Sequence, residues 1–305
     1  MTAEVPALLD RALGAYLGLA IGDALGATVE FMTAREIAHR YAAQGGVHRH
    51  IAGGGWLKLP AGQVTDDTTM SLALGDALLH GEALGRPCDT RLIGEAFVAW
   101  WRGKPVDCGN TCRRGILRFI NDGSLEGGPN DGDGGNGALM RNLPAVLATL
   151  GDEARFEAVS LAQARLTHHH PLSDAAVLGI GRMLRALLGG APHEAAVALA
   201  DELARDQPAF RFRPYPGRAT AYVVDTVQTV LHHYAAHADF ETAVVATVNR
   251  GDDADTTGAL VGMLAGATCG ARALPRRWVR ALMPGVVRAI TDQTSALVAL
   301  ALAPH

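Results

Sequence analysis

Two sets of glycines at four-residue spacing constrain this chain more than any other feature. They are Gly14, Gly18, Gly22 and Gly26, and Gly258, Gly262, Gly266 and Gly270. On an α-helix, a step of four residues drifts by only about 40°, so each set forms a smooth ridge. Interior glycine costs about 1 kcal/mol relative to alanine, so tight packing must compensate. We predict two central helices whose glycine ridges allow the backbone of another helix to approach closely, and in the simplest case the two ridges pack against each other. The alternative is that the chain is enriched in glycine without a structural role for the spacing.

The remaining pattern predicts an all-α protein. Apolar residues recur at helical spacing through most of the chain, and alternating β-branched runs are scarce, so any strands should be short and peripheral. With 305 residues, 49% of them hydrophobic, the chain can bury a large core, and we expect a single compact domain over residues 1–305. Two glycine-rich stretches, residues 44–63 and 121–137, are predicted to be functional loops.

Composition excludes several classes of function. A net charge of −4 without a basic cluster argues against nucleic-acid binding. The N-terminal apolar stretch lacks a basic flank and is interrupted by glycines and Asp23, so we expect neither a signal peptide nor stable membrane insertion. The four cysteines show no zinc-knuckle spacing, which favours reduced thiols in the cytoplasm. We expect a monomer.

Carboxylates cluster beside both glycine ridges, at predicted helix boundaries. Glu30 follows the first ridge, Asp66 and Asp67 follow Thr65, a good N-cap, and an aspartate group at 252–255 precedes the second ridge. Acidic residues at a helix N-terminus also stabilise the helix dipole without further function. However, both aspartate segments continue with Thr-Thr and an apolar helix, so each offers several hard oxygen ligands.

Packing of the two ridges would bring up to five carboxylates together. Each pair of unit charges at about 4 Å repels by about 4 kcal/mol at an effective dielectric of 20, so cations must compensate. Oxygen-only ligation favours Mg²⁺ or Mn²⁺ over zinc, and one divalent ion would not neutralise five carboxylates. We therefore expect two divalent cations.

At this point the chain resembles a known family. The segments GLAIGDALGATVEF, GGGWLKLPAGQVTDDTTMSLALG, PVDCGNTCRRGI, GNGALMRNLPA, LAQARLTHHHPLSDAA and VNRGDDADTTGALVGMLAGATCG are similar, in order, to those of the ADP-ribosylglycohydrolases. The similarity runs from about Arg11 to the C-terminal region. It implies an all-α single domain with a dinuclear Mn²⁺ or Mg²⁺ centre in a cleft.

The resemblance also implies roles for individual residues. The implied metal ligands are Thr65, Asp66, Asp67, Asp253, Asp255 and Thr256. Glu30 matches the acidic residue that completes the site, Asp107 matches an acid–base carboxylate, and Asp66 shares in catalysis. Two positions depart from the pattern: Asp252 stands where glycine is expected, and Thr69 stands where glutamate is frequent.

Substrate contacts are predicted in the second glycine-rich stretch and beyond it. Its backbone N–H groups could cradle a pyrophosphate, which makes Asn136 and Gly137 candidates, although composition alone also fits a disordered loop. His168 follows the family's Thr-His pattern and is a candidate contact to ribose or phosphate. Tyr222 could stack on adenine or simply be a buried aromatic, and Arg141 could reach a phosphate or form a surface salt bridge.

The resemblance implies hydrolysis of the N-glycosidic bond between ADP-ribose and a protein arginine, with Glu30 or Asp107 as general acid or base. Dinitrogenase reductase is the implied protein substrate, and a PII signalling protein is an implied partner. Two rivals stay open: a non-catalytic ADP-ribose-binding module, and a two-metal nucleotide phosphohydrolase. Without the resemblance, the two hydrolases are nearly equal alternatives.

Overall fold

A computed structural model describes residues 4–303 and consists of helices joined by loops. Within those residues there are fourteen α-helices and isolated bridges but no regular strand, which confirms the all-α prediction. The helices are α1 (Glu4–Gly26), α2 (Ala34–Arg40), α3 (Asp66–Ala83), α4 (Thr90–Arg102), α5 (Asn110–Asp122), α6 (Leu143–Ala148), α7 (Glu153–Arg165), α8 (Pro171–Leu188), α9 (His193–Asp206), α10 (Val223–Ala236), α11 (Phe240–Val248), α12 (Ala254–Cys269), α13 (Arg276–Ala281) and α14 (Pro284–Ala301).

The glycine ridges of α1 and α12 pack against each other in antiparallel fashion, as the spacing predicted. A Cβ built on Gly18 would lie 2.1 Å from the carbonyl oxygen of Gly262, and one on Gly22 would lie 2.0 Å from that of Gly258. No side chain fits at these distances, so the two backbones are in direct contact. This close approach is the gain that compensates for glycine in a helix interior.

The second ridge is one glycine shorter than its spacing suggested. Gly270 lies just after α12 with a φ of +78°, so it terminates the helix instead of extending the ridge. At the opposite end of the contact, Gly26 faces Ala254, whose carbonyl oxygen would lie 2.2 Å from a Cβ on Gly26. The C-terminal end of α1 therefore touches the N-terminal end of α12.

Helix α1 lies in the core. Residues Val5–Gly26 are long and apolar enough to cross a membrane by length and composition. In the folded chain, the face that is not against α12 packs on α3 and α14, and residues from Tyr16 to Leu25 are buried. The apolar character of α1 is thus used for helix packing.

The antiparallel contact gathers three chain segments at one end of the molecule. The chain leaves α1 into a loop that carries Glu30, α12 begins beside that loop, and α3 begins nearby at Asp66. Asp255 and Thr256 lie inside the first turn of α12, whereas the sequence placed the whole aspartate group before the helix. The predicted acidic segments are therefore neighbours in space.

Substitution of one ridge glycine should test this packing. We expect Gly22→Ala to lower the free energy of unfolding by about 3 kcal/mol or more, because its Cβ would overlap the α12 backbone. Gly285→Ala is a matched control near the start of α14, where a Cβ meets nothing within 4 Å. It should be neutral or stabilising by about 0.5 to 1 kcal/mol. Urea unfolding measures both; equal effects would contradict the proposed backbone contact.

Candidate active site

The two Asp-Thr motifs and Glu30 meet at the end of the α1–α12 pair. Carboxylate oxygens of Glu30, Asp253 and Asp255 lie within 4.8 Å of one another. The hydroxyl of Thr65 lies 3.4 Å from Oδ2 of Asp255, 190 positions away in the chain. The structure therefore brings the acidic segments together as the sequence predicted.

The second motif also touches the carboxylate that follows Thr65. The hydroxyl of Thr256 donates to Oδ2 of Asp67 at 3.3 Å. Thr65 is 3.4 Å from the same Asp67 oxygen. Oδ2 of Asp67 is therefore bonded to Thr256 of the second motif and lies close to Thr65 of the first, so the starts of α3 and α12 form one polar cluster.

Asp23 anchors the start of α3, a role that the sequence analysis missed. Thr65 occupies the N-cap position, but its side chain makes no capping bond. Instead the Asp23 carboxylate accepts the backbone N–H of Thr65 at 3.0 Å and that of Thr68 at 3.2 Å, together with both threonine hydroxyls. A helix cap is thus supplied by a different helix, α1, which holds Thr65 in place.

A cavity of about 520 Å³ opens above the cluster. Of the predicted site residues, it is lined by Glu30, Asp66, Asp107, Asn136, Gly137, His168, Asp253, Asp255 and Thr256. Thr65 and Asp67 are fully buried beside these residues and do not reach the cavity wall. Asp66 accepts the backbone N–H of Gly109 at 3.2 Å, which ties the loop that carries Asp107 to α3.

Burial makes the carboxylates hard to ionise in the protein without cations. Desolvation, reinforced by neighbouring carboxylates, raises the pKa of Glu30 to about 8 and that of Asp66 to about 7. Burial also raises the pKa of Asp253 to about 6, and it raises the pKa values of Asp67 and Asp255 well above the usual range. Ionising several of these carboxyl groups together therefore requires cations that compensate their negative charge.

The donor set fits hard divalent cations. Oδ1 of Asp67 is buried and has no hydrogen-bond partner, which is costly for a carboxylate oxygen unless a cation supplies the missing contact. The surrounding donors are carboxylate and hydroxyl oxygens, the ligands that Mg²⁺ and Mn²⁺ prefer. The acidic cluster can thus hold metal.

The second glycine-rich stretch forms one wall of the cavity. Asn136 donates its side-chain amide to Oδ2 of Asp253 at 2.5 Å, and its backbone N–H to the carbonyl of Ala221 at 3.1 Å. A Cβ on Gly137 would lie 2.9 Å from the His168 ring, so glycine permits the close approach there. Residues 133–137 are therefore packed against their neighbours at the cavity, whereas most of residues 121–132 are exposed.

His168 and Tyr222 occupy different parts of this wall. His168 is buried, with Nδ1 at 2.8 Å from the Thr167 hydroxyl, and burial lowers its pKa so that the ring is neutral. Tyr222 is 44% exposed and lies outside the cavity lining. Its ring rests on Gly134, because a Cβ there would lie 3.0 Å from Cε2. It therefore stands at the rim.

Arg141 is neither a phosphate ligand nor a surface salt bridge in this structure. Its guanidinium is fully buried, donates to Gln163 and Thr167, and stacks on Phe97 with 4.4 Å between Cζ and the ring centroid. The sequence predictions for Arg141 are thus wrong. The partners that hold it lie on α4 and on α7 and the turn that follows it.

Asp252 points away from the cluster. It has a φ of +52°, a conformation that favours glycine, which accounts for the glycine expected at this position. Its carboxylate lies 3.4 Å from the backbone N–H of Ala219 and does not line the cavity. Asp252 therefore adds a loop contact.

Two aromatic residues that the sequence analysis did not select complete the cavity. Trp56 donates its indole N–H to Oε2 of Glu30 at 2.6 Å. Phe31, the residue after Glu30, lies against Trp56 with ring centroids 5.3 Å apart. The sequence feature that could have identified Trp56 is its position inside a glycine-rich loop, GGGWLKLPAGQ, where a large aromatic residue is not needed for core packing.

Comparison with known proteins identifies the family. The model of the ADP-ribosylglycohydrolase family matches residues 4–303. The chain belongs to the ADP-ribosylglycohydrolases. It is therefore a hydrolase that acts on glycosyl bonds, as the sequence resemblance implied.

Individual relatives agree with this glycohydrolase assignment. The chain is 54% identical to the ADP-ribosyl-[dinitrogen reductase] glycohydrolase of Rhodospirillum rubrum, over 97% of this chain and 98% of that protein. It is 31% identical to an ADP-ribosylarginine hydrolase of Serratia proteamaculans, over 90% and 76% of the two chains. A solved ADP-ribosylglycohydrolase-related protein complex superposes with a TM-score of 0.84 at 34% identity, over 97% of this chain and 100% of that one.

The glycohydrolase should depend on Asp23 for metal affinity. We expect Asp23→Asn to weaken Mn²⁺ binding about 10- to 100-fold, because an amide cannot accept from all the donors that fix Thr65 and Thr68. Asp239→Asn is the matched control, since Asp239 caps α11 far from the cluster and asparagine caps equally well. Isothermal titration with MnCl₂ measures both, and equal affinities in the two variants would count against the role of Asp23.

The contribution of the acidic cluster to the stability of the metal-free glycohydrolase should fall as pH rises. The pKa values of about 6, 7 and 8 for Asp253, Asp66 and Glu30 lie above those of an unfolded chain. Between about pH 4 and 8, the folded state therefore holds protons that the unfolded state has lost, and this contribution weakens with increasing pH. Because cations replace those protons, saturating Mn²⁺ should raise Tm more at pH 8 than at pH 5. A pH-independent Tm increment would contradict this.

Proposed function

We propose that this glycohydrolase cleaves the N-glycosidic bond between ADP-ribose and an arginine side chain of another protein. The observation that carries the proposal is the buried cluster of Glu30 and the two Asp-Thr motifs, with the half-buried Asp107 lining the same cavity. Support for the bond comes from relatives named for ADP-ribosylarginine and for ADP-ribosyl-dinitrogen reductase. We propose dinitrogenase reductase as the protein substrate and a PII protein as a partner. We also propose that the protein is a monomer in the cytoplasm.

We further propose that two Mn²⁺ or Mg²⁺ ions occupy the cluster. Their proposed ligands are Thr65, Asp66, Asp67, Asp253, Asp255 and Thr256, with Glu30 beside them. When bound, the cations supply Lewis acidity and compensate the carboxylate charge. The unpartnered Oδ1 of Asp67 supports this assignment.

Cleavage of this bond requires one proton to be removed from water and one to be delivered to the leaving nitrogen. The anomeric carbon passes through an oxocarbenium-like state, while water attacks it and the guanidine departs. We assign these proton transfers to Glu30 and Asp107, which both line the cavity, with Asp66 supporting the reacting centre. Trp56 fixes the Glu30 carboxylate through its indole N–H, so the acid–base group is held in place.

The ADP-ribose moiety is assigned to the glycine-rich wall. Gly135, Asn136 and Gly137 all line the cavity, so we assign the pyrophosphate to this part of the wall. His168, neutral and buried, directs Nε2 toward Gly135 and Gly137. Tyr222 at the rim offers an exposed ring on which adenine can stack.

Product analysis tests the proposed reaction. With Mn²⁺, the protein should release intact ADP-ribose and regenerate arginine from an ADP-ribosylated arginine peptide. Glu30→Gln and Asp107→Asn should each lower kcat about 100-fold or more, because each removes one proton-transfer group. Chromatography of the nucleotide products measures both rate and product.

The same assay separates the rival functions. Release of AMP or phosphate would indicate a phosphohydrolase, and tight ADP-ribose binding without turnover would indicate a binding module. Arg182→Ala is a suitable control variant, since its exposed ion pairs with Glu153 and Glu157 lie on the outer face of α8. It should leave kcat unchanged.

A further inference from the structure

Two large aromatic side chains stand exposed at the cavity beside Glu30. Phe31 is 64% exposed and Trp56 is 51% exposed, and both line the same cavity as the carboxylates. Exposed aromatics of this size are costly in water and are enriched where proteins bind ligands. Neither ring contributes to the core, so their positions need another explanation.

The backbone holds Phe31 in an unfavourable conformation. Its φ is +61°, which is uncommon for a bulky residue other than glycine. The strain is maintained by two backbone hydrogen bonds with Asp252, one from the N–H of Phe31 at 2.7 Å and one to the carbonyl of Met32 at 2.8 Å. Strained residues of this kind cluster at ligand sites. Here the strain directs an apolar ring toward solvent and against Trp56.

We infer that Phe31, Trp56 and Glu30 form the subsite for the substrate's guanidinium, an inference that rests on the proposed function. A guanidinium is planar and positively charged, stacks on aromatic faces, and donates to carboxylates. The subsite offers both complements: two aromatic rings in contact with each other, with centroids 5.3 Å apart and planes tilted by 55°, and a carboxylate fixed by the indole N–H at 2.6 Å.

The position of the subsite agrees with the direction of the substrate. The glycine-rich wall meets the cluster through Asn136 and Asp253, and it leads outward to Tyr222. The aromatic pair joins the cluster through Glu30 instead. With ADP-ribose along the glycine-rich wall, the leaving group of the same substrate extends toward Phe31 and Trp56. A neutral adenine would gain little from the adjacent carboxylate.

Two Trp56 variants separate the aromatic face from the hydrogen bond to Glu30. Trp56→Phe keeps an aromatic ring and loses the indole N–H, whereas Trp56→Leu loses both. We expect kcat/KM for the ADP-ribosylarginine peptide to be about tenfold lower in Trp56→Leu than in Trp56→Phe, since a guanidinium–aromatic contact is of this size. The Ki of free ADP-ribose, which lacks the guanidinium, should agree within about twofold between the two variants.

The outcomes distinguish the subsite from the proposed function. Equal kcat/KM values in the two variants, or a parallel weakening of ADP-ribose, would overturn the guanidinium subsite while leaving the reaction intact. Absence of ADP-ribose release by the unmodified protein with Mn²⁺ would overturn the reaction and the subsite together. Trp56 is half exposed, so both variants should fold, and circular dichroism verifies this.

Discussion

The backbone contact between α1 and α12 is the constraint on which the site depends. Glycines on both ridges let the helices approach until carbonyl oxygens face the opposite Cα positions, from Gly14 to Gly26 along α1. At the Gly26 end, this contact places the loop carrying Glu30 beside the first turn of α12. One turn earlier on α1, Asp23 reaches across to cap α3. A single helix thus positions both aspartate motifs relative to Glu30.

This arrangement gathers like charges in a buried place, which opposes folding. Burial raises the pKa values of Glu30, Asp66 and Asp253, so ionisation of these groups is unfavourable until cations compensate. Packing elsewhere must offset this local cost, and the α1–α12 pair forms the most extensive helix–helix contact among the described residues. The same pair of helices therefore stabilises the fold through its packing and destabilises it by bringing the active-site carboxylates together.

Local sequence patterns were sufficient to predict the parts of the structure that depend on a regular spacing or a repeated motif. Glycine spacing predicted the central pair of helices, and the repeated Asp-Thr pattern predicted the acidic cluster. Contacts that no repeated sequence pattern marks were not accessible in this way. Asp23 looked like a mere interruption of an apolar helix, although it caps α3. The buried state of Arg141 depends on Gln163 and Thr167, which no spacing rule connects to it.

Trp56 illustrates a different reason for missing a site residue. Its loop has no periodicity, so nothing local specifies that the indole N–H should meet Glu30. The cavity is formed by three elements with different sequence patterns. A helix pair with periodic glycines positions the carboxylates, a glycine-rich wall is bonded to residues 221–223, and an aromatic loop without periodicity completes the lining. In the proposed binding mode, the two ends of the substrate meet separate elements, because the aromatic loop contacts the cluster through Glu30 and the glycine wall contacts it through Asp253. Selectivity for the leaving group can therefore change in one loop while the geometry of the acidic cluster is retained.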